Sequence, residues 1–325
     1  MKVAIVGASG MVGRMFATVL EERRLPISEL YLFASARSAG QKMSFCGKEL
    51  TIEELTSDVF NDRGINYALF GISGELSKKY APIAAKAGCI VIDNSSAWRM
   101  DENVPLVVPE VNGGDLANHK GIIANPNCCA APAVIALKPL LDTYGLKRVV
   151  ISTYQSVSGA GVGGMSDLEE TLKGGEPKQF PHPIAYNIIP HIDRFHDDGY
   201  TGEEKKLMSE VRKMLHMPDL PITATTVRVP VKIGHSLSIN CTLSNPFEPE
   251  YVRKILSTAP GVVLSDDPAN NLYPMPITAA GTDNVYVGRL RRDNSFPNTI
   301  NMWVSADNTR KGAAGNAVQI LESML

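Results

Sequence analysis

Three features of the 325-residue sequence predict an α/β chain of two domains, one on a parallel sheet and one an α+β unit on a mostly antiparallel sheet. The chain opens with a continuous apolar run, Lys2 to Val6, closed by glycines and followed by a helical pattern. Short apolar runs then alternate with helical stretches up to about residue 126. From Lys147 onward the runs alternate polar with apolar residues instead. A strand buried on both faces of a parallel sheet is apolar throughout, whereas alternation suits an antiparallel sheet with one wet face.

Lys2 to Val6 is the expected first strand. It ends in Gly7-Ala8-Ser9-Gly10-Met11-Val12-Gly13, and a helical pattern runs on to about Arg24, with Met11, Met15, Phe16, Val19 and Leu20 three and four apart. Strand, glycine turn, helix is the context of a Rossmann-like nucleotide domain. Glycines let the backbone turn sharply and approach a pyrophosphate, and the first helical N–H groups then face the anion. The second strand is expected at Glu29 to Ala34. No carboxylate follows it to hold a ribose 2′-OH; Arg37 and Ser38 stand there instead. An arginine clamps a 2′-phosphate that a carboxylate would repel, so the sequence points to NADP.

Further strands are expected at Tyr67 to Gly71, Cys89 to Asp93 and Gly121 to Ala124, with a helix over Glu75 to Ala87. Ligands gather at the carboxyl ends of such strands. Polar clusters lie there: Ser73-Gly74, Asn94-Ser95-Ser96 and Asn125-Pro126-Asn127-Cys128. Cys128 sits in a tight Asn/Pro turn that opens an Ala-rich helical run. A thiol at a helix N-terminus is favoured as thiolate by the helix dipole, which makes Cys128 a candidate nucleophile.

In the second half, Arg148 to Tyr154 is a β-branched run and Ser156 to Gly164 reads as a glycine-rich loop. A helix is expected over Gly202 to His216, and Thr223 to Val231 and Leu237 to Leu243 alternate as strands. A small-residue helix from about Thr309 to Met324 closes the chain and is expected to return to the first domain. The expected division is 1–126 with 306–325, and 127–305.

The composition excludes several classes. The net charge of -2, without a basic block, argues against nucleic acid. No apolar run approaches the roughly 20 residues of a membrane helix. The five cysteines have neither disulfide-framework nor zinc-ligand spacing, so no metal is expected and a cytoplasmic setting fits.

Taken in order, the motifs resemble one family over nearly the whole chain. They are Gly7 to Gly13, Ala34 to Gly40, Val107-Val108-Pro109-Glu110-Val111-Asn112, Asn125 to Cys128, Ser152 to Gly161, Val227-Arg228-Val229-Pro230-Val231, His235-Ser236, Asp307-Asn308 and Lys311 to Ala314. The chain resembles the aspartate-semialdehyde dehydrogenases of the bacterial type. The resemblance implies NADP-dependent, reversible reductive dephosphorylation of 4-phospho-L-aspartate to L-aspartate 4-semialdehyde through a cysteine thioester. The step serves lysine, threonine, methionine and diaminopimelate synthesis. It also implies a substrate and dimerisation domain and a homodimer or homotetramer.

By the same resemblance Cys128 is the nucleophile, His235 the general acid/base, and Gln155 the residue that orients the cysteine and the substrate. Arg228 is implied for the substrate carboxylate, Glu210 for its ammonium, and Arg99 and Lys213, with Asn94, for the phosphate. For the cofactor it implies Gly7, Ser9, Gly10, Met11 and Val12 at the pyrophosphate, Arg37 and Ser38 at the 2′-phosphate, and Ser158 and Gly159 near the nicotinamide. Ser73, Asn308 and Gln319 complete that set. One departure is particular to this chain: Cys129-Ala130 follow the nucleophile where relatives carry Ser-Thr. Register with Asn127 favours Cys128 as the reacting sulfur. Two rival readings use the same residues, a reductase of another acyl phosphate or acyl thioester and a non-catalytic NADP-binding regulator. The Glu210 and Arg228 matches favour a free amino-acid substrate, and the reactive set favours turnover.

Overall fold

The computed structural model describes all residues, 1–325. It divides into two compact units, Met1–Pro126 with Ala313–Leu325, and Asn127–Gly312.

In the first unit, β1 (Lys2–Val6) leads through the glycine turn into α1 (Met11–Glu22), then β2 (Glu29–Ala34), β3 (Lys42–Phe45), β4 (Lys48–Thr51) and β5 (Glu53–Glu54). β6 (Tyr67–Phe70), α2 (Gly74–Lys86), β7 (Ile90–Asp93), α3 (Pro109–Asn112) and β8 (Ile122–Ala124) complete it. The six-stranded parallel sheet has the order β5-β2-β1-β6-β7-β8. The order reverses between β1 and β6, which is where such sheets open a ligand crevice at the strand ends. Val3 and Ile5 of β1, Phe16 and Leu20 of α1, and Ile320 and Leu321 near the C-terminus are all but fully buried in one core. Each such side chain contributes about 1.5–3 kcal/mol by leaving water. The hairpin β3–β4 escaped the sequence reading. Its turn is Cys46-Gly47, with both residues at positive φ, the two-residue turn that matches strand twist.

The second unit begins with α4 (Ala130–Tyr144), followed by β9 (Leu146–Gln155), α5 (Gly161–Leu172), α6 (Gly202–Met214), β10 (Ile222–Arg228) and β11 (His235–Leu243). Then come α7 (Pro249–Ser257), β12 (Val262–Leu264), α8 (Pro276–Ala279), β13 (Val285–Arg292) and β14 (Thr299–Ala306). The sheet order is β10-β9-β11-β14-β13-β12. The three inner pairings are antiparallel and the two edge pairings parallel, so the sheet is mixed but mostly antiparallel.

Four expectations change. Ser156 to Gly164 is not a continuous loop, because α5 starts at Gly161. Val157 and Leu168 bury against Ile184 and Ile189, and that packing overrides the poor helix propensity of the glycines. β10 stops at Arg228 rather than Val231, since Pro230 has no N–H to give the ladder. The closing helix is split into a π turn, Arg310–Ala314, and α9 (Gly315–Glu322). Residues 306–312 also stay with the second unit rather than the first. The Asp307 carboxylate accepts the N–H groups of Gly281 and Thr309, and Arg310 donates to Asp283, which ties the segment there. No helix is long and apolar enough to cross a membrane.

Candidate active site

The Cys128 turn is built around Asn127. Its Oδ1 accepts the N–H groups of Cys129 and Ala130, at 2.8 and 3.3 Å, and so caps the start of α4. Its backbone N–H donates to Glu210 Oε2 at 2.6 Å and its Nδ2 donates to Glu203 Oε1 at 2.8 Å. Glu203 and Glu210 lie seven residues apart on α6, two turns along one face. A capping box, Thr201 with Glu204, starts that helix, and Glu204 also accepts the N–H of Thr226 in β10.

Cys128 is half-buried just before the capped turn, and Cys129 is fully buried. The Cys129 thiol, hydrogen-bonded to Cys128, holds the Cys128 thiol well below the ordinary thiol range; His235 and Arg228 add to this and burial opposes it. Cys129 is driven well up, by burial first and then by its neighbour. The two shifts run in opposite directions, so Cys128 is the more acidic of the two sulfurs. Gln155 Nε2, at the end of β9, lies 3.9 Å from Cys128 Sγ and donates to Glu203 Oε1 at 3.0 Å. Gly312 packs on the other side: a Cβ there would lie 3.0 Å from both Cβ and the carbonyl oxygen of Cys128.

His235, the first residue of β11, is fully buried. The backbone N–H of Ser156 donates to its Nδ1 at 3.0 Å. The proton of a neutral ring therefore sits on Nε2, which is buried and without a partner in the protein. The wall behind the ring is a network: Ser156 Oγ and Ser158 Oγ meet Asn308 Oδ1, which also accepts the N–H of Gly234. Cys128, Cys129 and His235 bring ligand atoms within 4.8 Å of one another, a spacing that would suit a metal. The Ser156 N–H on Nδ1 opposes that use, because a histidine that binds metal through one nitrogen carries its proton on the other.

Arg228 ends β10, with Nη1 donating to Ser156 O at 2.7 Å and the guanidinium over the Phe180 ring. Burial works against its charge, so an anion seated beside it would restore what desolvation costs. Gly159 leaves no room for a side chain, as a Cβ would lie 2.7 Å from Arg228 Nη1 and 3.2 Å from the His235 ring. Within this unit the fold brings together Cys128, Gln155, Ser158, Gly159, Glu210, Arg228, His235 and Asn308. Lys213 is half-buried one turn after Glu210 on α6.

The first unit carries the remaining candidates. Gly7 and Gly13 are required by contact, since a Cβ on either would lie within 2.4 Å of a backbone oxygen. Gly10 precedes α1 and no side chain caps that helix, so the N–H groups around Met11 and Val12, next to Ser9, are open to an anion. This cradle, at the reversal of strand order, fits a dinucleotide pyrophosphate. Arg37 is exposed beyond the end of β2, in a short turn whose Ser38 is buried. Ser73 instead caps α2, accepting the N–H of Leu76. Asn94 and Arg99 meet through Asn125: Arg99 donates to the carbonyls of Asn125 and Asn94, and Asn125 Nδ2 donates to Asn94 Oδ1. Gln319 is half-buried in α9.

Sequence reasoning missed Glu203 and Ser156 as site residues; the small residues from Gly312 onward read as allowing close packing, without Cys128 as the neighbour. The Thr201-Gly202-Glu203-Glu204 start of α6 is a legible capping signal, but which acid faces the thiol depends on where α6 packs.

Two family models cover most of the chain. "Semialdehyde dehydrogenase, NAD binding domain" matches residues 2–119, and "Semialdehyde dehydrogenase, dimerisation domain" matches residues 137–311. With the glycine cradle and the thiol–imidazole–amide cluster, these define a semialdehyde dehydrogenase with a nicotinamide-nucleotide domain. The aspartate-semialdehyde dehydrogenase of Aquifex aeolicus is 54% identical, over 100% of this chain and 98% of that protein. That of Bacillus subtilis is 47% identical, over 99% and 96%. The crystal structure of aspartate semialdehyde dehydrogenase II from Vibrio cholerae, complexed with ASA, superposes with a TM-score of 0.95 at 44% identity, over 99% of this chain and 97% of that one. The aspartate semialdehyde dehydrogenase of Candida albicans, solved with NADP, does so with 0.76 at 25% identity, over 99% and 98%. The chain belongs to the aspartate-semialdehyde dehydrogenase family. By that membership it is an NADP-dependent oxidoreductase of amino-acid biosynthesis, interconverting 4-phospho-L-aspartate and L-aspartate 4-semialdehyde.

Proposed function

We propose that Cys128 performs this reaction by covalent catalysis, with His235 as general acid/base and Gln155 as the amide that orients the sulfur. The supporting observation is the convergence on one sulfur of a lowered thiol pKa, the Gln155 N–H and the His235 ring. The Cys128 thiolate attacks the acyl carbon of aspartyl phosphate, the C–O bond to phosphate breaks, and a thioester remains. NADPH, when bound, supplies the hydride that reduces this acyl group. His235 Nε2 lends its proton to the developing oxygen and takes it back as the C–S bond cleaves, which releases the aldehyde and returns the thiolate. Nδ1 accepts an N–H, so the proton that is lent and taken back is the one on Nε2.

Arg228 binds the substrate carboxylate, a role its buried, desolvated guanidinium supports. Arg99 and Lys213, with Asn94, serve the phosphate. Glu210 serves the substrate ammonium with whatever its carboxylate has left beyond the Asn127 N–H. Arg37 and Ser38 give preference for NADP over NAD. Ser9, Gly10, Met11 and Val12 hold the pyrophosphate, and Ser158 and Gly159 line the nicotinamide side. The enzyme is a cytoplasmic homodimer or homotetramer. The dimerisation-domain match supports the assembly, and five unpaired cysteines suit a reducing compartment.

The test is the reverse reaction. Aspartate semialdehyde, phosphate and NADP are mixed with the enzyme and NADPH absorbance is followed, with Cys128→Ala in parallel. Phosphate-dependent NADPH formation, lost in the variant, supports the whole reading. Full turnover in Cys128→Ala, or none in a wild-type protein that binds NADP, overturns it.

A further inference from the structure

Glu203 is absent from every role above, yet it is the acceptor shared by the two amide side chains that flank Cys128. Its Oε1 accepts Asn127 Nδ2 at 2.8 Å and Gln155 Nε2 at 3.0 Å, and the residue is only 8% exposed. An amide side chain can turn over with almost no change of shape, exchanging its donor for its acceptor. Nothing around Gln155 Oε1 makes that choice, because the oxygen is buried without a partner. Glu203 makes it, since a carboxylate only accepts. With the NH₂ group held toward Glu203, the same nitrogen stands beside Cys128 Sγ as a donor. Turned over, Gln155 would set an oxygen lone pair against a thiolate.

The same selection acts on Asn127. Its NH₂ group goes to Glu203, which leaves Oδ1 to cap α4 through Cys129 and Ala130. The carboxylate itself is firmly placed. It belongs to the first turn of α6, which the capping box and the Glu204–Thr226 bond anchor to β10. Lys206 Nζ lies 4.0 Å from its other oxygen.

We propose that Glu203 is a positioning residue of the active site, which fixes the amide orientation of Gln155 and Asn127 and so keeps an N–H donor on the Cys128 sulfur. The inference rests on Cys128 being the nucleophile. Glu203→Gln and Glu203→Ala test it together, because both remove the charge and only glutamine keeps an acceptor at that place. Glu203→Met, a straight chain without an acceptor, repeats the alanine test with less loss of volume.

Glu203→Ala should lower kcat at least about tenfold, the worth of a hydrogen bond to a charged group. KM for the semialdehyde should stay within about threefold, since no substrate contact is removed. Glu203→Gln should recover most of the lost kcat. In a Gln155→Ala background most of the cost of Glu203→Ala should vanish, because the two residues act in series. The pH midpoint for alkylation of Cys128, measured without substrate, should be higher in Glu203→Ala than in Glu203→Gln. Equal kcat losses in the two variants, full additivity with Gln155→Ala, a change confined to KM, or equal alkylation midpoints would each overturn the proposal. Alkylation needs no turnover, so this outcome is distinct from a failure of the Cys128 reading, which would appear as turnover surviving Cys128→Ala.

Discussion

The backbone N–H of Ser156 donates to Nδ1 of His235 at 3.0 Å, so a main-chain group, and not a carboxylate, sets the tautomer of the His235 imidazole. A main-chain donor survives mutation of its own side chain. Ser156→Ala loses the contacts of Oγ with Nδ1 and Asn308 but keeps the N–H. Its kcat should fall by less than about tenfold, whereas His235→Asn should lose on the order of 10²–10⁴, the span of general acid–base contributions. Nucleotide binding should be unchanged in both. Equal losses in the two variants would mean that the hydroxyl, and not the backbone, controls the ring.

Arg37→Ala should weaken NADPH binding by roughly ten- to a hundredfold, the worth of charge-assisted bonds to a phosphate, and leave NADH binding nearly unchanged. Arg37 is exposed, so the fold should not suffer. Titration of both nucleotides by fluorescence measures the ratio, and an equal loss for both would remove Arg37 from the 2′-phosphate.

Gly312 has no left-handed φ, so only contact forbids a side chain there. The methyl of Gly312→Ala would press on the Cβ and carbonyl of Cys128 and shift the sulfur by a fraction of an ångström. The expected result is a kcat about tenfold to a hundredfold lower, as misplacements of this kind cost, with Tm lowered by only a few degrees. A wild-type kcat would show that the turn yields freely.

The thiols should separate by reactivity. Burial pushes Cys89 up to about 11 and Cys241 up to about 12, and Cys129 rises as well, while Cys128 is lowered. At neutral pH a thiol reagent should take Cys128 first and the exposed Cys46 next, leaving the other three until the chain unfolds, as mass spectrometry of digests would record. Stability follows the same shifts. An unfolded thiol loses its proton near pH 8.5 and native Cys241 does not until about 12, so the unfolded state binds fewer protons in that window. Stability should therefore fall as pH rises through it, and Cys241→Ala should flatten that part of the curve. An unchanged slope would show that other groups govern alkaline unfolding.

Local rules were enough for much of this protein. Lys2–Val6 and Glu29–Ala34 form with the bounds expected of them, because Val3 to Val6 and Leu32 to Ala34 are buried and such stretches of a parallel sheet are apolar. The glycines at 7 and 13 mark a turn that no other residue fits. Cys128, Arg37, Arg228 and His235 were legible as candidates because motif order and chemistry lie along the chain. What the chain alone left open was everything that depends on two distant segments meeting. Glu203 is one of two adjacent acids, and only the packing of α6 turns it, and not Glu204, toward Gln155. The His235 tautomer is set by a peptide group 79 positions away. Gly312 matters only because a π turn brings it against Cys128. Sequence determines much of the secondary structure and the menu of reactive groups through nearest-neighbour sterics and hydrophobic period, while packing decides elements such as α5. The pKa of the thiol, the orientation of its amides and the proton on the imidazole are set by desolvation and hydrogen bonds across the fold, and these exist only once the second sheet has formed.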